Sequence, residues 1–281
     1  TTQMTRSAVS FGGGVATGAV LILLLRRWFK IPEATEAPEN SEALEEENTC
    51  CRNPFMINPR FPSYHTSHPG ILLVVAIRPE ISAILEAFKL DKPFWETRDQ
   101  RQCVWLTSLS GAGPGQPRPV PLTIALVGVG QQHSVGVTSC MLKHLPLTRH
   151  VVNFGCVGAN AGGRMKIADF AYVRETRHYD VGLQAVDWFQ PLQIVVPHWN
   201  GERDTAICTT GARFTRGQPG ADCEDMELYG LACLCRQWNQ RLTALKYCAN
   251  YTNNDGPADC EKNIERARAK AHTELMSCLN Q

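Results

Sequence analysis

The chain has 281 residues, of which 43% are hydrophobic and 20% are charged, as in globular proteins that bury a substantial core. Its 28 basic and 27 acidic side chains leave a formal net charge of +1. The chain therefore lacks the surplus of basic residues that would indicate nucleic acid as a partner. The twelve cysteines include no C-x-x-C pair, the spacing typical of zinc knuckles and thioredoxin-like redox motifs. We therefore expect no metal, no cofactor and no nucleic acid partner.

Residues 1–30 have the pattern of a membrane anchor. Residues 8–25 contain no charged side chain, and as a helix they would span roughly 27 Å, close to the hydrocarbon thickness of a bilayer. Arg26, Arg27 and Trp28 follow directly, as expected at a lipid–water interface. The pattern predicts one N-terminal transmembrane helix and therefore a single-pass membrane protein.

Small side chains form a stripe along this predicted helix, because Ser10, Gly14 and Gly18 are four residues apart. Such a stripe lets a second transmembrane helix approach closely. We therefore expect membrane lipid and the transmembrane helices of a larger complex as partners. An anchor this close behind Thr1 fits a processed protein of the mitochondrial inner membrane, with a respiratory complex as one candidate assembly.

Residues 31–69 predict an acidic linker followed by a proline-rich arm. Residues 31–49 hold seven Glu and neither Lys nor Arg, so they cannot bury apolar surface. This composition favours a solvated spacer over an acidic docking tail. Four prolines without any hydrophobic periodicity follow between residues 50 and 69, which predicts an irregular arm.

Residues 70–281 alternate short apolar runs with amphipathic stretches, which predicts an α/β domain with a parallel or mixed sheet. The apolar run at 71–77 predicts a strand buried on both faces, and Pro79 opens a helical stretch. The further predicted strands are 103–108, 122–127, 150–154, 169–174, 206–209 and 243–248, and the further predicted helices are about 132–144, 224–239 and 258–278.

Polar side chains follow several of these strands, at the edge where α/β sheets bind their ligands. Glu80 lies after the first strand, Glu227 lies at the start of the helix 224–239, and Asn250 ends the next strand. With Phe214, such a set would suit a nucleoside: an aromatic ring stacks on a base, a carboxylate accepts from both ribose hydroxyls, and an amide pairs with the base edge. The second carboxylate would be a general base. Surface acids and a helix N-cap are the alternative interpretation.

Gly128 and Gly130 separate a predicted strand from a predicted helix. A glycine-rich turn before a helix can bind an anion through its backbone amides, but it can equally be a tight turn. The third glycine of the dinucleotide-binding fingerprint is absent, so this turn does not predict a nucleotide cofactor.

The cysteines divide by their surroundings in the sequence. Apolar or small-residue segments, which favour buried thiols, surround Cys140, Cys156, Cys208, Cys233 and Cys248. The remaining cysteines of this comparison lie in polar segments, where they could be either free thiols or disulfides. They are Cys50, Cys51, Cys223, Cys260 and Cys278.

Segments spread over most of residues 70–281 resemble the nucleoside phosphorylase/nucleosidase superfamily, which includes methylthioadenosine/adenosylhomocysteine nucleosidase and futalosine hydrolase. In chain order they are ILLVVAIRPE, VGVG, VVNFGCVGAN, IADFAYVRETRHYDV, CTTGARF, CEDMELYGLA and ALKYCAN. The resemblance implies a three-layer α/β/α fold with a central mixed sheet and cleavage of a purine N-ribosidic bond.

The resemblance also implies roles for individual positions. Glu80 matches the water-activating base of the family, Met226 and Glu227 match its ribose-binding pair, and Phe214 matches the aromatic residue that stacks on the base. These positions, with those of the next paragraph, are the candidate site.

Four positions lie in the family's strand-end segments. Gly155 and Gly158 match the glycines under the ribose. Cys156 replaces a serine of the family, and Asn250 replaces the aspartate that helps to protonate the purine at N7 in the nucleosidases. Futalosine hydrolase resembles this chain in having asparagine there, and an amide can pair with a 6-oxopurine.

These departures leave two functions open. The first is an accessory subunit of a mitochondrial inner-membrane complex, anchored by its N-terminal helix, with weakened or lost activity. In that case Arg213 would pair with Glu80 or Glu227 and fill the base position. The alternative is an active nucleosidase, or a phosphorylase, that acts on a purine nucleoside of the 6-oxopurine type.

Overall fold

The computed structural model of the chain describes residues 60–110, 119–179, 191–194, 205–212, 217–252 and 257–280. Within these ranges, no helix is long and apolar enough to cross a membrane. The anchor predicted at residues 1–30 and the acidic linker at 31–49 lie outside the described residues, so both stay predictions. Arg213 and Phe214 also lie outside them.

Ten strands of the described ranges form one sheet. They are β1 (Gly70–Val75), β2 (Trp95–Glu96), β3 (Cys103–Leu109), β4 (Val120–Leu126), β5 (Thr148–Ala159), β6 (Phe170–His178), β7 (Leu192–Gln193), β8 (Thr205–Thr210), β9 (Cys223–Asp225) and β10 (Arg241–Tyr251). The helices are α1 (Ser63–Ser67), α2 (Arg78–Ala87), α3 (Gln131–His144), α4 (Leu228–Gln237) and α5 (Pro257–Leu279).

The sheet is mixed, as the sequence predicts. Neighbouring strands follow the order β10, β6, β8, β9, β5, β1, β4, β3, β2, with β7 paired to β6. Because β10 also pairs with β5, the strands β10, β6, β8, β9 and β5 close a circuit. The pairs of β1 with β4, β1 with β5 and β5 with β10 are parallel, whereas β3 with β4 and β6 with β10 are antiparallel.

The sheet lies between two layers of helices, because alternate side chains of a strand point to opposite faces. On β1, Leu72 and Val74 belong to an apolar cluster that includes residues of α3 and α4. Leu73 and Val75 belong to a second cluster, with residues of α2 and α5. Both faces of β1 are therefore buried, which explains its continuous apolar sequence. The arrangement confirms the predicted α/β fold with a central mixed sheet.

One edge of β5 forks, and this fork positions the candidate site. On that edge β1 pairs with β5 as far as Asn153, and β9 pairs with it from Gly158. No described strand pairs with residues 154–157 on that edge. The opposite edge pairs with β10 along most of its length. Backbone amides in the fork are therefore available to side chains that follow β1.

Two predicted elements differ in the structure. Residues 223–225 do not begin the helix predicted at 224–239; they form β9, which pairs with β8 and β5, and α4 begins only at Leu228. The arm predicted to be irregular contains α1, whose Tyr64 hydroxyl donates to the Pro119 carbonyl. In both places a long-range contact decides a conformation that local sequence does not show.

Candidate active site

Glu80 is held between α2 and β5. It is the third residue of α2, where its Oε2 accepts a hydrogen bond of 3.1 Å from the Ile77 amide, which is the half of a capping box that the third residue provides. Its Oε1 accepts a hydrogen bond of 2.7 Å from the Cys156 amide, inside the fork of β5. Only 6% of the residue is exposed, and this burial raises the pKa of the Glu80 carboxyl.

Two glycines of β5 make room for the site. A Cβ at Gly155 would lie 3.1 Å from Oε1 of Glu80, so a side chain there would push against the carboxylate. A Cβ at Gly158 would lie 3.0 Å from Cγ2 of Thr252 and 3.6 Å from Oδ1 of Asn250. Both predicted glycines therefore lie beside candidate site residues, and Gly155 makes room for the Glu80 carboxylate itself.

Glu227 is the N-cap residue of α4 and is also 6% exposed. Its Oε1 accepts a hydrogen bond of 2.8 Å from the Gly130 amide. Gly128 and Gly130 have φ values of 87° and 98°, so the turn before α3 uses conformations that glycine favours. The glycine turn is therefore tight, and the anion that its amide contacts is the carboxylate of Glu227. Burial first, and then the Asp225 carboxylate, raise the pKa of Glu227 to about 7.

A buried ion pair supports Glu227, and the sequence analysis did not identify it. Lys246 Nζ lies 2.8 Å from Asp225 Oδ2, and these side chains are 1% and 0% exposed. Asp225 Oδ1 also accepts a hydrogen bond of 2.6 Å from the Thr210 hydroxyl. Burial disfavours the ammonium, but the carboxylates of Asp225 and Glu227 outweigh it and raise the pKa of Lys246. The sequence feature that could have indicated this ion pair is the single lysine within the largely apolar sequence of β10.

The Asp225 carboxylate also fixes the start of α4. Its Oδ2 accepts a hydrogen bond of 3.1 Å from the Leu228 amide. The Thr210 hydroxyl in turn accepts a hydrogen bond of 3.1 Å from the Tyr229 amide. Two backbone donors in the first turn of the helix are thereby satisfied by buried side chains from the sheet.

Five of the predicted site residues line one cavity of about 360 Å³, a volume that suits a small-molecule site. They are Glu80, Cys156, Met226, Glu227 and Asn250. Ala76, Ile77, Pro79, Val129, Val157 and Ile264 add apolar walls. Among the described residues that line it, none is basic. The catalytic and binding roles of these residues stay predictions.

Neither a protein family model nor a curated protein matches the chain. Solved structures do match. The 5′-methylthioadenosine nucleosidase of Arabidopsis thaliana superposes with a TM-score of 0.61 at 15% identity, over 76% of this chain and 96% of that one. The futalosine hydrolase of Helicobacter pylori gives a TM-score of 0.60 at 16% identity, over 75% and 97% of the two chains.

An S-adenosylhomocysteine nucleosidase from Streptococcus pyogenes, in complex with 5-methylthiotubericidin, gives a TM-score of 0.61 at 16% identity, over 76% of this chain and 97% of that one. The resemblance to the nucleoside phosphorylase/nucleosidase superfamily is thus confirmed for the fold, at low sequence identity. The similarity is one of fold and does not transfer an activity.

Replacing Lys246 with Met should lower the free energy of unfolding by about 3–5 kcal/mol, because it leaves the Asp225 carboxylate buried without a cation. The double variant Lys246→Met/Asp225→Asn should lose less than the sum of the two single losses, since no uncompensated charge remains at that pair. Urea unfolding of the four proteins measures this coupling. Additive losses would contradict a net interaction between the two side chains.

The stability of the protein should depend on pH through Glu227. A carboxyl with a pKa of about 7 in the folded protein binds its proton more tightly than the unfolded chain does, for which the ordinary value is 4.5. Its stabilising contribution is therefore complete below about pH 4.5 and lost as pH rises through about 7. We expect the unfolding free energy of the parent to fall relative to Glu227→Gln over that range, by on the order of 3 kcal/mol.

Urea unfolding of the parent and of Glu227→Gln at several pH values between 4.5 and 7.5 measures this difference. Because Glu80 and Asp225 are present in both proteins, the difference between the two profiles reports Glu227 together with its interactions with these two carboxylates. Parallel pH profiles for the two proteins would contradict a raised pKa at this position.

Proposed function

We propose that the protein hydrolyses the N-ribosidic bond of a purine nucleoside. The observation that carries this proposal is the convergence of Glu80, Glu227 and Asn250 on one cavity, although they come from separate parts of the chain. Two carboxylates and an amide supply a general base, a partner for the ribose hydroxyls and a partner for the base edge.

Glu227 and Met226 suit the ribose. The Gly130 amide holds Oε1 of Glu227, which fixes the carboxylate and directs its remaining hydrogen-bonding capacity to a ligand. An ionised carboxylate accepts hydrogen bonds from the two vicinal hydroxyls of a ribose. The Met226 side chain lines the same cavity and offers an apolar surface to the sugar ring.

Glu80 suits the role of the general base. Two backbone amides hold its carboxylate in place, and its burial raises its pKa, which makes the ionised form a stronger base. In the proposed reaction Glu80 takes a proton from water while the water oxygen bonds to C1′ of the ribose. The bond between C1′ and the purine nitrogen breaks, and the bonding electrons leave with the base, which takes up a proton. The products are ribose and the free purine.

The charge of the cavity favours water over phosphate as the second substrate. Glu80, Asp225, Glu227 and Glu261 line it, and no basic side chain does so among the described residues. The Lys246 ammonium lies behind this wall in its ion pair with Asp225. Carboxylates repel a phosphate dianion, which proteins usually bind through Arg, Lys or helix N-termini, but they do not repel neutral water. Hydrolysis is therefore proposed rather than phosphorolysis.

The proposal is tested by measuring release of free base from inosine, methylthioadenosine and futalosine by the purified protein. Glu80→Gln should reduce the rate by roughly 10²–10⁴-fold, the usual contribution of a positioned general base. Glu86→Gln is the matched control, because Glu86 lies on the same helix but is exposed and pairs with Arg268 at the surface. Its rate should equal that of the parent.

Two results would overturn the proposal. One is a parent protein that releases no base from any of the three nucleosides. The other is a Glu80→Gln variant as fast as the parent, since the activity would then not depend on the proposed base.

Asn250 favours a 6-oxopurine as the base. Its amide can donate to the oxygen at position 6 and accept from a ring N–H. The amide can also pair with adenine, but unlike a carboxylic acid it has no proton to give to N7. We expect Asn250→Asp to raise the ratio of adenine to hypoxanthine release about tenfold, because a carboxylic acid can give a proton to N7 and one hydrogen bond is worth about a factor of ten. The measurement compares adenosine and inosine as substrates.

Asn239→Asp is the matched control for this change, since Asn239 is exposed beyond the end of α4. Its adenine-to-hypoxanthine ratio should equal that of the parent. An unchanged ratio in Asn250→Asp would argue that Asn250 does not contact the base.

A membrane-anchored accessory subunit is the second candidate function. It is favoured by the replacement of the family's aspartate by Asn250 and by the charge-free run at residues 8–25. On this proposal the chain keeps the fold within a mitochondrial inner-membrane complex while its chemistry is weakened or lost. The same assay separates the two candidates, because release of base that depends on Glu80 contradicts a silent site.

A further inference from the structure

Two cysteine thiols meet inside the candidate active site. Cys156 lies in the fork of β5 and Cys260 lies near the start of α5, and both line the cavity beside Glu80. They lie near enough for each thiol to shift the pKa of the other. The Glu80 carboxylate lies beside them, since its Oε1 accepts a hydrogen bond from the Cys156 amide. Neither cysteine is in a disulfide.

The two thiols are chemically unequal. The neighbouring Cys156 thiol lowers the pKa of the Cys260 thiol. The Cys260 thiol, followed by burial and the Glu80 carboxylate, raises the pKa of the Cys156 thiol. Because thiolates are the nucleophilic form of cysteine, Cys260 is the more reactive of the two, and Cys156 is the thiol next to it.

A second pair of thiols provides an internal comparison. Cys208 and Cys223 lie opposite each other on β8 and β9, and their thiols donate to the Thr209 and Ile207 carbonyls. Both are 0% exposed and belong to the apolar cluster that includes residues of α3 and α4. Both are therefore pairs of neighbouring cysteines, but the first lines a cavity whereas the second is fully buried.

We propose that Cys156 and Cys260 are an oxidation site in the cavity, at which a hydroperoxide converts the thiol pair to a disulfide. In the first step the Cys260 thiolate attacks one oxygen of hydrogen peroxide, the O–O bond breaks, and hydroxide leaves, so that Cys260 becomes a sulfenic acid. In the second step the Cys156 sulfur attacks the Cys260 sulfur and water leaves. Two thiols are oxidised, and one peroxide is reduced to two water molecules.

The disulfide would change the cavity. A sulfur–sulfur bond is about 2.05 Å long, well under the separation of two sulfur atoms that are not bonded, so its formation draws the start of α5 towards β5. It also replaces the Cys156 thiol in the cavity by a disulfide, which cannot donate a hydrogen bond. A narrower cavity with an altered environment at Glu80 should stop base release. This consequence rests on the proposed function, whereas the formation of the disulfide does not.

The disulfide is tested on the full chain by adding hydrogen peroxide, blocking the remaining thiols by alkylation, and mapping peptides without reduction. We expect a Cys156–Cys260 cross-link to form before any cross-link between Cys208 and Cys223. Cys260→Ser should abolish it. Cys233→Ser is the matched control and should not, since Cys233 is exposed on α4, outside the cavity. The proposal is overturned if no Cys156–Cys260 cross-link forms, or if the Cys208–Cys223 pair oxidises as fast.

Base release from inosine, methylthioadenosine and futalosine tests the consequence. Peroxide should abolish at least 90% of the parent rate, and dithiothreitol should restore it, as expected for a site that is closed on nearly every oxidised molecule. The Cys260→Ser variant should keep its own untreated rate after peroxide. A cross-linked protein that retains its full rate contradicts the proposed control of the cavity. If the reduced parent releases no base, only the proposed function is contradicted. The peptide map still shows whether the Cys156–Cys260 disulfide forms.

Discussion

Burial of three carboxylates around one buried ammonium is the constraint on which the site depends. Glu80, Asp225 and Glu227 are each 6% exposed or less, and Lys246 is the cation that compensates them within the described residues. Asp225 takes the direct ion pair, and burial raises the pKa of the other two carboxyls. An isolated charge of this kind would cost several kcal/mol, so each side chain of the ion pair offsets the burial cost of the other, although a buried pair alone adds little stability. The same pair ties β9 and β10 to the start of α4.

The fork of β5 converts this charge arrangement into a cavity. A continuous strand at that edge would use the Cys156 amide in the sheet, whereas here the amide donates to Glu80. Gly155 lets the carboxylate lie against the strand, and the closed circuit of strands holds β9 at the far end of the fork. Sheet topology, rather than any single loop, therefore sets the distance between Glu80 and the residues that follow β9.

The sequence predicts the regular parts of this arrangement well. Hydrophobic runs and amphipathic stretches locate β1, α2 and α5, and the positions after strands indicate Glu80 and Asn250. The helix predicted at 224–239 includes Asp225, whereas the structure has this residue in β9, a strand too short to show a period of two. The Lys246 pair and the contact between Cys156 and Cys260 depend on long-range register, which no local pattern records.

The electrostatics of the cavity also bear on which small molecules can react there. Water and hydrogen peroxide are both small and neutral, so the carboxylates that disfavour phosphate disfavour neither of them. Glutathione carries a net negative charge at neutral pH and is much larger, so the same wall should oppose its access to the Cys156–Cys260 pair. A disulfide formed in the cavity would therefore be reduced faster by a small neutral dithiol than by glutathione. The negative charge of the cavity, which favours hydrolysis over phosphorolysis, would thus also determine which reductants can reverse the oxidation of Cys156 and Cys260.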